Sequence, residues 1–169
     1  RQRQMCIRDR FYIDFTEVTN DQFQKFVNET GYLTIAEREI DWDEMKKNLP
    51  AGTPKPHDSI LQPGSLIFND KLKKVDNMNN YFQWWRWQTG ANWRSPKGPG
   101  SSIENKGNYP VVHIAYEDAK AYCEWANRRL PTEAEWESAA QGNYKNAVFP
   151  WGDDLKLLNS NANTWQGNF

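Results

Sequence analysis

The stretch Leu130-Pro131-Thr132-Glu133-Ala134-Glu135-Trp136-Glu137-Ser138-Ala139 predicts the start of a helix that carries an aromatic anchor. Thr132 lies three positions before Glu135. This is the spacing of a capping box, in which each side chain accepts a hydrogen bond from the other residue's backbone amide. Pro131 disfavours helix in the residue before it, so the helix begins at Thr132. We expect Trp136 to turn its ring towards the element on which this helix packs.

Three glutamates crowd the first turn of this predicted helix and could be taken for a metal or acid-base cluster. The first turn of a helix attracts acidic side chains because its free amides and its dipole present positive charge. We therefore assign a structural role to Glu133, Glu135 and Glu137.

The composition predicts a soluble globular protein. The chain has 169 residues, which suits one domain or a large part of one. Its 21 lysines and arginines nearly balance 22 aspartates and glutamates, so no net field favours nucleic acid or an anionic membrane. No apolar run approaches the roughly 18 residues that span a bilayer, and no signal-peptide pattern appears at the start. Because we expect the N-terminus of the protein to be missing from this sequence, the bacterial cytoplasm and export both stay open. Nine tryptophans among only 38% hydrophobic residues predict a core of a few large rings and much irregular backbone.

The first ten residues share no pattern with the rest of the chain. They are basic, lack periodicity and contain Cys6, one of only two cysteines. We treat residues 1–10 as an artefactual or unstructured leader and assign residues 11–169 to one partial domain. Cys123 falls on the apolar face of a predicted helix, where it is either a small buried hydrophobe or half of a disulfide whose partner is absent from this chain. Neither cysteine has the spacing of a zinc ligand.

Two regular elements are predicted near the start of the domain. Phe11 to Phe15 alternates apolar with polar residues and predicts a short internal strand. Thr19 and Gln22 form a second capping box, and Gly31 is a C-terminal stop, so a helix is predicted between them.

The middle of the chain is predicted to be irregular. From Ile35 to about Asn80 the periodicity weakens, apart from an amphipathic piece at Trp42 to Lys47 and a strand at Ser65 to Phe68. Such a segment is uncommon in a compact domain unless it is functional, so we interpret it as an ordered insertion or lid. Four tryptophans follow it, namely Trp84, Trp85, Trp87 and Trp93. These rings either pack beneath a long loop or form a platform for a peptide or ligand.

A strand and a helix are predicted before the capped corner. The apolar run Val111 to Ala115 predicts a buried strand, in which His113 is interpreted as a satisfied core residue rather than a ligand or base. Residues at helical spacing then predict a helix from about Glu117 to Asn127.

Complete catalytic motifs are absent from the sequence. There is no HExxH, GxSxG, P-loop or GxGxxG pattern. One oxygen-rich tract offers the kind of ligands that calcium accepts, although without the spacing of an EF-hand loop. It consists of Asp153, Asp154, Asn159, Asn161 and Asn163.

Segments spread over residues 11–169 resemble the formylglycine-generating enzyme, or sulfatase-modifying factor, family. The segments typical of the wider superfamily are Arg129-Leu130-Pro131-Thr132-Glu133-Ala134-Glu135-Trp136-Glu137 and Phe149-Pro150-Trp151-Gly152. Those that resemble the formylglycine-generating branch are Gly90-Ala91-Asn92-Trp93-Arg94, with the insertion before it, and Ala162-Asn163-Thr164-Trp165-Gln166-Gly167. The resemblance implies an α+β fold, an irregular C-type-lectin-like domain with little regular secondary structure, here truncated.

The resemblance also implies a reaction, cofactors and a partner. Members of this branch oxidise a cysteine in a Cys-x-Pro-x-Arg motif of a sulfatase polypeptide to formylglycine. They use oxygen and copper(I) held by two cysteine thiolates, the soft ligands that copper(I) prefers. Trp84 and Trp85 match an aromatic pair that is expected to wall the substrate-peptide groove. Asn163, through its side chain, and Thr164, through its carbonyl, match two ligands of a structural calcium site.

By the same resemblance, the catalytic residues lie outside this chain. The copper-binding cysteine pair belongs to the second half of the family domain, expected beyond Phe169, so we assign no catalytic residue here and expect this polypeptide alone to be inactive. Cys123 matches a position that forms a disulfide in some members, and Ala140 occupies a second position where others have a cysteine. Two alternatives stay open for the parent protein, a non-catalytic structural or ligand-binding member of the superfamily and a nonheme-iron sulfoxide synthase.

Overall fold

The computed structural model describes residues 11–164 with the exception of 73, 76, 78, 143, 145 and 146. This part of the chain contains the helices α1 (Asn20–Thr30), α2 (Trp42–Met45), α3 (Tyr116–Trp125), α4 (Glu133–Gln141) and α5 (Leu158–Asn161), and the strands β1 (Gly64–Phe68) and β2 (Trp85–Thr89). The two strands form a small antiparallel sheet, so the fold class is α+β, as predicted. No helix in these residues is long and apolar enough to cross a membrane.

The chain divides into two compact units. The first, Thr16–Arg129, is called the core unit here because it contains the buried apolar cluster. The second unit combines Arg1–Phe15 with Leu130–Phe169. The leader predicted for residues 1–10 lies outside the described residues.

Helix α1 begins and ends where the sequence predicts. The Thr19 amide donates to the side chain of Gln22 at 2.9 Å, and the Gln22 amide donates back to the Thr19 hydroxyl at 3.4 Å, which completes the capping box. At the other end Gly31 has a φ of 67°, and its amide donates to the carbonyl of Val27. Glycine adopts this left-handed conformation without steric cost, so Gly31 ends the helix cleanly.

The prediction of a strand at Val111 to Ala115 is wrong, because these residues form no strand in the structure. Among the described residues, the pairing near this segment is an isolated bridge between Thr19 and Pro110. The Val111 amide extends it by donating to the carbonyl of Val18. His113 has a φ of 59°, and this left-handed backbone interrupts any extended run through it. Its Nε2 lies 2.9 Å from the carbonyl oxygen of Pro96, so the half-buried ring has a partner in the fold.

The core lies where α1 packs against α3. Its buried members are Phe23, Phe26, Val27, Trp93 and Tyr122. Trp93 is 0% exposed, and its ring lies edge-on to Phe23, with 5.2 Å between the centroids. For this one of the four clustered tryptophans, packing is therefore the correct alternative. Helix α3 confirms the prediction of a helix from about Glu117 to Asn127.

A buried carboxylate fastens the end of α1 to the start of α3. Asp118 is 0% exposed and accepts hydrogen bonds from the Tyr32 hydroxyl at 3.0 Å and from the Ile35 and Ala115 amides at 3.0 and 2.9 Å. Buried charges need such partners, because desolvation without them is costly. Asp118 therefore fixes the turn that leads into the insertion.

Tyr32 makes the stability of the protein sensitive to high pH. Burial, and secondly the hydrogen bond to Asp118, raises the pKa of Tyr32 above its ordinary value of 10.0. The folded state then holds the phenolic proton more tightly than the unfolded state. This contribution is present below about pH 10 and is lost as the pH rises through the folded pKa. We expect the melting temperature of the full-length protein to fall more steeply above about pH 10 than that of Tyr32→Phe. Parallel curves for the two proteins would refute this.

Helix α4 in the second unit confirms the capping box at its start. The Thr132 amide donates to Glu135 at 2.8 Å, and the Glu135 amide donates to the Thr132 hydroxyl at 3.3 Å. Such caps contribute about 1 kcal/mol each. The glutamates of this turn thus lie at the helix start, where the sequence placed them.

Two predictions for the second unit are wrong. Trp136 is 61% exposed and lines a shallow groove with Ile13 and Phe15 instead of packing in a core. The described part of this unit has no buried apolar side chain against which the ring could pack. The segment Phe11 to Phe15 is not a strand, because no strand in the described residues lies beside it, and Tyr12 and Phe15 are fully exposed.

Candidate functional site

The most distinctive surface of the core unit is the β1–β2 ladder. Gly64 pairs with Thr89 at one end, and Phe68 pairs with Trp85 at the other. A Cβ at Gly64 would lie 2.4 Å from the carbonyl oxygen of Gln88, so only glycine permits this approach of the two strands. The sequence predicted β1 at Ser65 to Phe68, which is confirmed, but it did not predict β2.

One face of this ladder is apolar and exposed. Directly paired residues of an antiparallel ladder share a face, and side chains alternate between faces along each strand. The pairing therefore places four residues together, each 40 to 46% exposed, which we call the aromatic face: Leu66, Phe68, Trp85 and Trp87. The rings of Phe68 and Trp85 meet edge to face, with 6.0 Å between their centroids. Exposed aromatic residues grouped in this way are typical of binding surfaces.

The opposite face of the ladder is anchored to the protein. Ile67 is buried there, and β1 lies beside the 3-10 turn Ile35–Glu37. Arg86 on the same face donates to the side chain of Gln88 at 2.7 Å. One face is thus occupied within the core unit while the aromatic face is left accessible.

The two predicted substrate-binding tryptophans have different surroundings. Trp85 lies on the aromatic face. Trp84 precedes β2 and is half-buried, and its carbonyl accepts a hydrogen bond from the Asn69 amide at 2.8 Å. On the aromatic face the neighbour of Trp85 is Trp87, which the sequence reading did not select. The spacing of two between these residues is the strand period, and it was the available signal.

The side chain of Asn92 stabilises the loop after β2 through hydrogen bonds to the backbone. Its side-chain oxygen accepts from the amides of Arg94 and Ser95 at 2.9 and 3.0 Å. Trp93, which lies between Asn92 and Arg94, packs in the core. The segment Gly90-Ala91-Asn92-Trp93-Arg94 therefore joins the end of the sheet to the buried cluster.

Arg94 connects this loop to the start of the insertion. Its guanidinium forms an ion pair with Glu37 and lies 4.3 Å from the centroid of the Trp93 ring. The other carboxylate oxygen of Glu37 accepts from the amide and hydroxyl of Thr34 at 3.1 and 2.7 Å. No motif in the sequence indicated that Glu37 and Arg94 meet.

The two residues matched to a calcium site, Asn163 and Thr164, are exposed and follow α5. The rest of the matched segment, Trp165 to Gly167, lies outside the described residues. Within the described ranges, no three histidine, cysteine, aspartate or glutamate side chains are grouped as a metal site.

Three side chains of the oxygen-rich tract around α5 make hydrogen bonds to nearby backbone groups. Asp153 accepts from the Val148 amide at 2.8 Å, and Asp154 accepts from the Lys156 amide at 2.9 Å. Asn161 donates to the carbonyl of Leu157 at 3.1 Å. Asp153 therefore closes the turn around Phe149-Pro150-Trp151-Gly152, and Asp154 caps the 3-10 turn Leu155–Leu157.

Of the two cysteines, Cys123 is the one within the described residues. Cys123 is half-buried on α3, where it packs against the core cluster. Cys6 lies outside the described residues.

Comparison with known proteins identifies the family. The sulfatase-modifying factor enzyme 1-like domain matches residues 2–169, and the chain belongs to this family of enzymes, as its motifs predict. It is 44% identical over 162 residues to the formylglycine-generating enzyme of Mus musculus and 44% identical over 163 residues to that of Mycobacterium tuberculosis. It is also 40% identical over 163 residues to a protein of Mus musculus named inactive C-alpha-formylglycine-generating enzyme 2.

These matches cover most of this chain but only part of each relative. They span 95, 94 and 94% of the chain, in the order given, and 39, 50 and 45% of the relatives. The chain therefore spans half or less of the length of these relatives.

Proposed function

We propose that the full-length protein oxidises a cysteine within a Cys-x-Pro-x-Arg motif of a sulfatase polypeptide to formylglycine, with oxygen as the oxidant. The observation that carries this proposal is the identity of 44% to two formylglycine-generating enzymes over nearly the whole chain. The segment Gly90-Ala91-Asn92-Trp93-Arg94, which resembles the formylglycine-generating branch, also supports it. This segment follows β2 directly and joins the strand of Trp85 and Trp87 to the buried core.

In this proposal the aromatic face contributes to the peptide-binding groove. Trp85 and Trp87 offer large rigid rings that lose little conformational entropy when a peptide docks. A tryptophan ring also attracts a guanidinium, so the arginine of the motif has a cation–π partner there. Trp84 lies next to Trp85 in the chain and flanks the groove.

The proposed metals make different demands on this chain. A two-thiolate copper(I) site is not formed by the described residues, which contain the single thiol of Cys123. In the proposed enzyme, residues outside this range hold copper, which supplies the oxygen chemistry. Asn163 and Thr164 offer the hard oxygen atoms that calcium accepts and provide two of its ligands.

The finer fold is also part of the proposal. The short helices, the two-stranded sheet and the long connections are consistent with the irregular C-type-lectin-like fold that the resemblance implies. An experimental structure of the full-length protein with a different topology would exclude it.

The reaction predicts which tryptophans matter for the substrate. Full-length protein incubated with a Cys-x-Pro-x-Arg peptide, copper(I) and oxygen should yield an aldehyde that a hydrazide probe captures and mass spectrometry identifies. We expect Trp85→Ala and Trp87→Ala each to raise KM for the peptide by about tenfold, because interface tryptophans commonly contribute this much binding energy. Trp84→Ala should have a smaller effect, since its side chain is half-buried beside the face.

Arg86→Ala is the matched control, because Arg86 lies on the same strand but on the opposite face. Its KM should stay within about twofold of wild type. If Arg86→Ala matches Trp85→Ala, the aromatic face is not the peptide site. If no aldehyde forms with wild-type protein, the oxidase proposal fails.

A non-catalytic role is the second candidate, and the inactive relative at 40% identity favours it. A binding module would hold the same peptide without converting it. Binding of a fluorescent Cys-x-Pro-x-Arg peptide without aldehyde formation would therefore support this candidate over the first.

A further inference from the structure

One ion pair joins the start of the insertion to the loop that follows β2. Glu37 is the last residue of the 3-10 turn Ile35–Glu37 at the start of the insertion, and Arg94 lies in the loop that follows β2. The residues between them include α2 and both strands of the sheet. An Nη1 atom of Arg94 contacts Oε1 of Glu37 and closes this segment.

This ion pair differs from a solvent-exposed one in how firmly each partner is held. The Glu37 side chain is 12% exposed, and its second oxygen binds Thr34, which is itself buried. Arg94 is 41% exposed, but its guanidinium lies over the buried ring of Trp93. Exposed pairs contribute little because their side chains must be ordered on pairing. Here both side chains are already ordered by other contacts.

The pair is placed where it controls the orientation of the sheet. Strand β1 lies beside the 3-10 turn that carries Glu37, and Arg94 lies five residues after the end of β2. The same turn is fixed from the other side by Asp118, which binds the Ile35 amide. Movement of the ladder away from the rest of the core unit therefore requires the ion pair to break or the turn to deform.

We propose that Glu37 and Arg94 are positioning residues that hold the aromatic face in its peptide-binding orientation. This inference rests on the proposed function of that face. The pair acts on how tightly the peptide binds and leaves the oxidation step alone, because neither residue belongs to the aromatic face. Small displacements of a binding surface are sufficient to weaken a fitted ligand substantially.

The test compares Glu37→Gln, Arg94→Gln and Arg94→Lys in the full-length protein. Glu37→Gln retains an oxygen for Thr34 but removes the charge that faces Arg94. We expect Glu37→Gln and Arg94→Gln to raise KM for the Cys-x-Pro-x-Arg peptide by about fivefold while kcat stays within about twofold. Arg94→Lys keeps the charge and should recover most of the wild-type KM. Tryptic cleavage at the exposed Lys46 and Lys47 should become faster in the two glutamine variants, since the insertion is less firmly held.

Glu124→Gln is the matched control, because it makes the same change in the exposed Lys120–Glu124 pair on α3. It should leave KM and the cleavage rate unchanged. The proposal is overturned if KM is unchanged in both glutamine variants, or if kcat falls together with the melting temperature, which would indicate a general structural role. If wild-type protein converts no peptide, the proposed function fails. The positioning role is then decided by cleavage alone, and equal rates in wild type and Glu37→Gln reject it.

Discussion

Replacing Trp93 with alanine should destabilise the full-length protein by about 3–5 kcal/mol, the usual cost of deleting a large ring from a packed core. Trp93 is wholly buried, and its ring meets the ring of Phe23 edge-on. The Arg94 guanidinium lies over the Trp93 ring, 4.3 Å from its centroid. Its removal leaves a cavity beside α1 and frees the loop after β2. The measurement is urea unfolding followed by far-UV circular dichroism, because nine tryptophans would mix in fluorescence.

Trp93→Phe separates the volume of the ring from its polar atom. The Trp93 Nε1 is buried and has no hydrogen-bond partner among the described residues. An unpaired buried donor costs about 1–3 kcal/mol, so phenylalanine loses volume but also removes this penalty. We expect Trp93→Phe to lose less than half of what Trp93→Ala loses. Trp87→Ala, on the exposed face, is the control and should change the free energy of unfolding by under about 1 kcal/mol. Equal losses for Trp93→Ala and Trp87→Ala would contradict the core assignment.

The sequence predicted those elements whose signals are local. The two residues of each capping box, which begin at Thr19 and at Thr132, lie within four positions of each other, and both helices begin as expected. The glycine at position 31 likewise ends α1 through its own backbone conformation. Such features depend on neighbours in the chain and need no knowledge of the tertiary fold.

Strands were predicted less well because they depend on a distant partner. Alternation suggested a strand at Phe11 to Phe15, yet neither of the two strands in the described residues pairs with it. The strand β2 was read as part of a cluster of rings, although its partner β1 was correctly placed. A pleated segment becomes a strand only when a second one lies beside it.

The contacts that hold the aromatic face could not be predicted either, because they also join residues that are distant in the sequence. Glu37 and Arg94 are 57 positions apart, and Asp118 binds an amide 83 positions away. The resemblance to the family selected Trp85 as a candidate for the substrate groove, and this stays a prediction. Trp87 was found on the aromatic face only from the register of the two strands. The sequence therefore indicated the family and one residue of the aromatic face, and the structure added how that face is attached to the rest of the core unit.

Replacing Asp118 with alanine should destabilise the full-length protein by about 3–5 kcal/mol, because three buried or partly buried donors then lose their acceptor. Those donors are the hydroxyl of Tyr32 and the amides of Ile35 and Ala115. Asp118→Asn keeps the shape but turns an NH₂ group towards one of these donors, so it should recover only part of the loss. Urea unfolding measures both variants, with Glu117→Ala, an exposed acid in the same helical turn, as control.

Asp118 joins α3 to the start of the insertion, so its replacement should also change local hydrogen exchange there. Without Asp118 the turn Ile35–Glu37 loses its anchor on α3 while the Glu37–Arg94 pair is left intact. Hydrogen exchange at the Ile35 amide should therefore accelerate in Asp118→Ala by more than the global loss of stability requires, because local opening adds to global unfolding. An Ile35 amide that exchanges no faster than the global change allows would show that the insertion is anchored by the ion pair alone.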